Sequence, residues 1–289
     1  MKISNITKKH SVVYLMGGLG NQLFQLCFAN NLRMNGHKVT VDLSNYSKKN
    51  DQDKIPIREQ IFPISYFKFD EPSSLVKSIL KFYAKLSNYK FKNLMFVPIK
   101  RINENNLNIV NQGLLNHFVG YWQDLNVILE NKSFLIDSLS NDKNLEFSLN
   151  ATPELGSTMI HVRRGDYVDI NEDLKLDYFS KAIELCSNEI KNFNFNVFTD
   201  DIIWVKNSKI FKNANNIFDS TNTKENTIIS FSKMLIHENF IISNSTFSLI
   251  AAVLGSNENS KIYLPEPWFR NENKDIKPFS SWIKINNYE

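Results

Sequence analysis

Cysteine is nearly absent from this 289-residue chain, which has only Cys27 and Cys186. That excludes a disulfide framework and any zinc site built on paired cysteines. Both fall in segments of helical pattern, where a free buried thiol is the ordinary outcome. No stretch approaches the ~20 apolar residues needed to cross a bilayer. The run Val12-Val13-Tyr14-Leu15-Met16 is broken by Gly17-Gly18 and is too short for the core of a secretion signal, so a cytoplasmic protein is expected. A net charge of +4 is mild and gives no reason to expect nucleic acid as a partner. The sequence also lacks an internal repeat and the G-x-G-x-x-G fingerprint of dinucleotide sites.

What is present is ample apolar material. Hydrophobic residues make up 42% of the chain and aromatic residues 12%, enough for a sizeable core and for two domains. Residues 11–16 read as a strand, Gly17 to Gly20 as a turn, 21–34 as a helix closed by Gly36, and 38–43 as a second strand. That is a βαβ unit and implies a parallel sheet. Alternation resumes after Gly156, with strands at 158–162, 196–199, 240–243 and 261–264. Helices are expected at 177–191, near Asp201, at 225–238 and at 246–254. Between 44 and 155 the Asn, Lys and Ser content blurs every boundary. The expected fold is α/β, with two Rossmann-like domains, 1–155 and 156–289, facing across a cleft.

Ligands of such sheets bind where strands end, and four strand-end loops carry suggestive residues. Gly17-Gly18-Leu19-Gly20-Asn21-Gln22 follows the first strand. Its glycines let backbone N–H groups approach a ligand, and Asn21 and Gln22 offer polar side chains to the turn. His161-Val162-Arg163-Arg164-Gly165-Asp166-Tyr167 ends the strand at 158–162. Two adjacent arginines there cannot both enter a core uncompensated, and strand alternation puts His161 with Arg163 and sets Arg164 apart. A guanidinium fork matches phosphate oxygens, and an Arg164–Asp166 ion pair holding the turn is the competing use. Phe198-Thr199-Asp200-Asp201 supplies carboxylates that can either read a guanine edge or cap a helix. Ser243-Asn244-Ser245-Thr246-Phe247-Ser248 precedes an apolar helix, where hydroxyls and N–H groups can cradle an anion.

Taken with Gly120-Tyr121-Trp122-Gln123, the segments GGLGNQLFQ (17–25), HVRRGDY (161–167), FTDD (198–201) and SNSTFS (243–248) resemble the bacterial α-1,2-fucosyltransferases of glycosyltransferase family 11. Order and approximate spacing agree over nearly the whole chain. The resemblance implies a GT-B-like, inverting enzyme that needs neither metal nor cofactor. It would move L-fucose from GDP-β-L-fucose to the 2-hydroxyl of a terminal galactose in an O-antigen-like or lactose-like glycan. It assigns the donor site to the second domain and the acceptor side to the first. It implies that Arg163 acts on the diphosphate and that Asn21 faces the donor, both counted as catalytic, with donor contacts from His161, Arg163, Asp200, Asp201, Ser245, Thr246 and Phe247. By chemistry alone Asp166 is added as a catalytic candidate, and Gly18 and Gly20 as donor contacts of the glycine turn. Two departures stand out. Leu249-Ile250 occupies positions where the family commonly has two tryptophans, and the 168–177 loop is short and lacks a histidine often found there.

Three further features are weighed by chemistry alone. Asp51-Gln52-Asp53 matches the D-x-D of metal-dependent transferases but sits in the polar run KKNDQDK, which reads as a solvated loop. A general base for the acceptor hydroxyl must be a carboxylate or histidine within hydrogen-bond reach, and Asp42, Asp124 and Asp166 are candidates. Residues 73–101 hold seven basic residues and no acidic one. Lys77, Lys81 and Lys85 recur at helical spacing, with Leu75, Ile79, Phe82 and Leu86 on another face. Such a helix can lie on an anionic membrane surface or pack on its own domain.

Overall fold

The computed structural model of the chain describes residues 9–46, 59–87, 99–103, 114–220, 223–270 and 281–287. They form two compact units, 1–123 and 124–289, each built on a single parallel sheet. The α/β expectation therefore holds in both halves. Asp51-Gln52-Asp53 lies outside the described residues.

The first unit opens with β1 (His10–Tyr14), α1 (Leu19–Met34) and β2 (Lys38–Asp42), the expected βαβ unit. It continues through a 3₁₀ turn at Ile64–Phe67 to α2 (Ser74–Ser87), β3 (Ile99–Asn103) and β4 (Leu115–Val119). The sheet order is β2-β1-β4-β3. Val12 and Val13 of β1 and Leu23, Phe24 and Cys27 of α1 are fully buried. A free thiol at Cys27 is the outcome, its pKa pushed far up by burial. Gly36, at φ +83°, ends α1 in the left-handed region that a residue without Cβ adopts freely.

The second unit begins with three short helices, α3 (Leu125–Glu130), α4 (Lys132–Leu139) and α5 (Lys143–Asn150). Then come β5 (Glu154–Val162), α6 (Gly165–Asp169), α7 (Leu176–Glu189), β6 (Asn194–Thr199), α8 (Ile202–Asn207) and β7 (Asn216–Asp219). After these follow α9 (Lys224–Leu235), β8 (His237–Ile241), α10 (Thr246–Gly255), β9 (Ile262–Glu266) and β10 (Ile283–Asn286). The strands are ordered β10-β9-β8-β5-β6-β7. Central β5 carries Met159, Ile160 and Val162, all fully buried, and α7 packs Phe179, Ala182 and Cys186 onto the same core. The boundary expected at 155/156 stands at 123/124 instead. Helices α3 and α4 lie against α10 and α5 against α9, so these segments fold with the second sheet.

Both strand orders reverse direction beside their first strand. In the second unit the chain runs outward from β5 through β6 to β7, then returns to the other side of β5 with β8. In the first it places β2 on one side of β1 and β4 on the other. Neighbouring crossovers leave in opposite directions at such a switch point, so their loops part at the carboxyl ends and leave room for a ligand. The switch points are β5/β8 and β1/β4. The loops that drew notice in the sequence lie there, with the 198–201 loop one strand away on β6.

Candidate functional site

At the β5/β8 switch point the two arginines divide between different jobs. Arg163 directs one guanidinium nitrogen to Asp200 Oδ2 at 2.7 Å and the other to Asp166 Oδ1 at 2.5 Å. Its face lies 5.4 Å from the centre of the Tyr167 ring. Of its two anionic partners, Asp200 is buried (side chain 5% exposed) and Asp166 faces solvent (44%), so the fork has one fixed and one exchangeable carboxylate. Arg164 is saturated in a different way. Its Nε donates to Asp201 at 3.1 Å, a terminal nitrogen donates to Asp173 at 2.8 Å, and its plane lies 4.2 Å from the Trp204 ring centre. With two carboxylates and an aromatic face engaged, Arg164 holds structure. The Arg164–Asp166 pair considered from sequence is not formed; Asp166 turns to Arg163 instead.

Asp200 and Asp201 likewise separate. Asp201 caps α8 by accepting from the Trp204 N–H at 3.0 Å, while its other oxygen takes Arg164. Asp200 accepts the Arg164 backbone N–H at 2.8 Å on one oxygen and Arg163 on the other. Capping thus falls to Asp201, and Asp200 orients the Arg163 fork. Gly165 makes this possible, because a Cβ there would stand 2.5 Å from Asp200 Oδ2.

His161 is buried (2% exposed), with Nδ1 2.7 Å from Ser243 Oγ and its ring 5.7 Å from that of Phe247. It supports the β8–α10 loop from beneath, joining the ends of β5 and β8. Burial first, and the neighbouring Arg163 second, lower its pKa to about 3, so the ring is neutral at physiological pH. His237 at the start of β8 is also lowered, to about 4, chiefly by burial. In both cases the unfolded chain takes up protons that the folded one refuses. This stability contribution is complete above pH 6.5 and is lost as pH falls from 6.5 towards the folded values. Between pH 7 and pH 5 we expect about 2 kcal/mol of lost stability per histidine. Urea unfolding at the two pH values should show a smaller drop in His161→Gln and in His237→Gln than in the wild type. An identical drop in all three proteins would contradict the assignment.

The hydroxyl-rich loop is largely committed internally. Ser245 caps α10, Ser243 serves His161, and Ser248 donates to the Ser245 carbonyl. Asn244 is fully buried and donates to the Glu172 carbonyl, while Tyr167 donates to the Asn244 carbonyl across the switch point. Thr246 and Phe247 keep partial exposure at the helix start. Leu249 and Ile250, the departure from the family pattern, are both fully buried. They act as core packing, with burial of each worth about 1.5–3 kcal/mol.

In the first unit the β1/β4 switch point is spanned by one side-chain pair, Gln123 Nε2 donating to Asn21 Oδ1 at 2.8 Å. Trp122, with φ +56° and its indole stacked 4.2 Å from Phe28, turns the chain so that Gln123 reaches back. Gly17 has φ +80°, and a Cβ on it would fall 2.8 Å from Asn21 Nδ2. Gly18 leads into α1 and Gly20 is buried in its first turn. Gln22 points inward rather than into the turn, bonding the Gly17 and Glu59 carbonyls and the Ile61 N–H. Gln25 stitches both backbone groups of Met16.

The base candidates all carry local partners. Asp42 is buried and accepts from the Ser44 N–H, Asp124 caps α3, and Asp166 sits on Arg163. Sequence reasoning passed over Glu172, Asp173, Trp204 and Arg270. Glu172 and Asp173 are buried, and Arg270 fastens their loop through its backbone N–H to Glu172 and its guanidinium to the Asp173 carbonyl. Local spacing offered no signal for a partner almost a hundred residues away. Among the described residues no group of three or more His, Cys, Asp or Glu converges as metal ligands do.

A family model described as Glycosyl transferase family 11 matches residues 8–286. An Escherichia coli protein named alpha-1,2-colitosyltransferase is 29% identical over 301 residues, covering 95% of this chain and 98% of the relative. The O-antigen biosynthesis glycosyltransferase WbnK of Escherichia coli is 26% identical over 305 residues, with 94% and 99% covered. Among solved structures, an Arabidopsis thaliana FUT1 variant in complex with GDP aligns with TM-score 0.48 and 13% identity, over 95% of this chain and 73% of that one. POFUT1 in complex with GDP gives 0.45 and 13%, over 89% and 98%.

Proposed function

Because the chain belongs to glycosyltransferase family 11, we propose that it moves L-fucose from GDP-β-L-fucose to the 2-hydroxyl of a terminal galactose in an O-antigen-like glycan. One observation carries the donor side of this reading. A guanidinium fork, oriented by a buried carboxylate, stands at the β5/β8 switch point with an exposed carboxylate on its outer side. Exchange of Asp166 for a diphosphate would give Arg163 a stronger anionic partner without disturbing Asp200. In the displacement, the acceptor oxygen bonds to the anomeric carbon as the bond to the β-phosphate oxygen breaks. The electron pair leaves with GDP, the acceptor proton passes to a base, and the configuration inverts from β to α. Charge grows on the diphosphate as it leaves, and a preorganised guanidinium stabilises that charge. Thr246 and Phe247 at the start of α10 are the remaining proposed donor contacts in the second unit. The names of the two Escherichia coli relatives support the O-antigen class of acceptor and an α-1,2 linkage.

The relative named for colitose favours a second reading, in which the donor sugar is colitose, fucose without its 3-hydroxyl. A site built to bond that hydroxyl rejects the analogue lacking it by a large factor, about 10⁴ where the polar partner is buried. GDP-fucose, GDP-colitose, GDP-mannose and UDP-galactose should therefore be compared in EDTA with lactose and with galactose-terminated O-antigen oligosaccharides. The first reading expects transfer from GDP-fucose at undiminished rate in EDTA and an α-1,2 linkage by NMR. Preference for GDP-colitose would select the second reading. Rescue only by added divalent metal would overturn metal independence. Binding of GDP-fucose with no transfer to any acceptor would leave a non-catalytic sugar-nucleotide binder.

A further inference from the structure

Helix α2 packs through only part of its apolar surface. Leu80 is the buried residue (5% exposed), and Val76 and Tyr83 are half-buried beside it. Leu75, Ile79 and Phe82 are 70%, 36% and 62% exposed. At roughly 100° per residue, those three share one narrow strip, turned well over a quarter of a circle from Leu80. On the other side of the wheel Lys77 lies about 60° from Leu80, at the edge of the buried face, and Lys81 lies about 100° from both Leu80 and Phe82. Lys77 is engaged by Glu71, and Lys81 is exposed. The apolar strip is thus bordered by half-buried Tyr83 and Val76 on one side and by exposed Lys81 on the other.

Exposed leucine and phenylalanine at helical spacing demand a covering, since contiguous apolar surface marks an interaction site. Charge complementarity decides what covers it. The stretch 73–101 is basic throughout, with no acidic residue. A helix with an exposed lysine bordering an aliphatic and aromatic strip suits an anionic lipid surface, where the strip enters the acyl boundary and the ammonium group meets the headgroups. We propose that α2 docks this protein onto anionic lipid bilayers through Leu75, Ile79 and Phe82, with Lys81 at the headgroups. No helix among the described residues is long and apolar enough to cross a membrane, so the attachment is peripheral.

The test is flotation of the full-length protein with vesicles of phosphatidylcholine alone and of phosphatidylcholine with phosphatidylglycerol. Wild type should float with the anionic vesicles and only weakly with the neutral ones, and added salt should weaken the binding. Lys81→Glu exchanges an attraction for a repulsion and should lower the partition coefficient at least tenfold. Leu75→Ser/Phe82→Ser should lower it at least as much at low salt, while transfer to a soluble acceptor stays unchanged because neither side chain belongs to the candidate site. Equal flotation of wild type and both variants would overturn the proposal, as would no flotation of wild type. So would a wild-type dimer on gel filtration that Phe82→Ser converts to monomer, because the strip would then be covered by a second copy.

Discussion

Arg163→Ala is expected to lower kcat/KM by about 100- to 1,000-fold, the cost of removing one preorganised donor to developing charge. The same change should also destabilise the protein. Asp200 is 5% exposed, and without Arg163 it keeps, among the described residues, the Arg164 N–H as its partner. Removing one partner of a buried ion pair costs about 3–5 kcal/mol. The two effects can be separated. Arg163→Ala/Asp200→Asn removes the stranded charge and should recover most of the lost melting temperature, with transfer still depressed. Arg163→Lys keeps the charge but cannot serve a phosphate and Asp200 through one rigid fork, and it should remain well below wild type. Near-wild-type turnover in Arg163→Ala, measured with saturating acceptor, would remove Arg163 from the donor site.

Gly165→Ala should lower activity by about 100-fold although alanine is the better helix former. The new Cβ would stand 2.5 Å from Asp200 Oδ2, far inside contact distance. Asp200 has little room to retreat, because its oxygens bond the Arg164 N–H and Arg163. Its movement carries the Arg163 fork with it, and a displacement of about 1 Å at a positioning group can cost 10²-fold. A double-mutant cycle distinguishes this route from a general loss of fold. In an Asp200→Ala background the clash partner is gone, so adding Gly165→Ala should cost almost nothing further. Additive losses in the cycle would mean that Gly165 acts through something other than Asp200.

Much of the site was legible because its loops are local objects. A glycine turn after an apolar alternation, two arginines at a strand end and a hydroxyl run before an apolar helix all announce themselves within a few residues. The roles within those loops were less legible. Arg163 and Arg164 are neighbours with identical chemistry, and only the positions of Asp166, Asp200, Asp173, Asp201 and Trp204 make one an exchangeable fork and the other a structural tie. Gln22 looked like a turn-facing amide and proved to be an internal staple, because Glu59 and Ile61 pass close enough to take its hydrogen bonds. Strands β7 and β10, four residues each, were missed since so short a run holds little alternation. The boundary at 123/124 escaped for a related reason. Short helices α3, α4 and α5 belong to the second unit through contacts with α9 and α10, a hundred residues on in the chain.

By itself the sequence determined the α/β class, the parallel βαβ character of both halves and the loops that end the strands at the two switch points. These follow from short-range periodicity and from the few residue types that tolerate turns. Only the tertiary structure decided that β8 returns beside β5 and β4 beside β1. That pairing brings His161 to Ser243, Tyr167 to Asn244 and Asn21 to Gln123. Strand order depends on which distant apolar faces bury each other best, and no local pattern records that choice. The loop cluster at each switch point is local in its parts and non-local in its assembly.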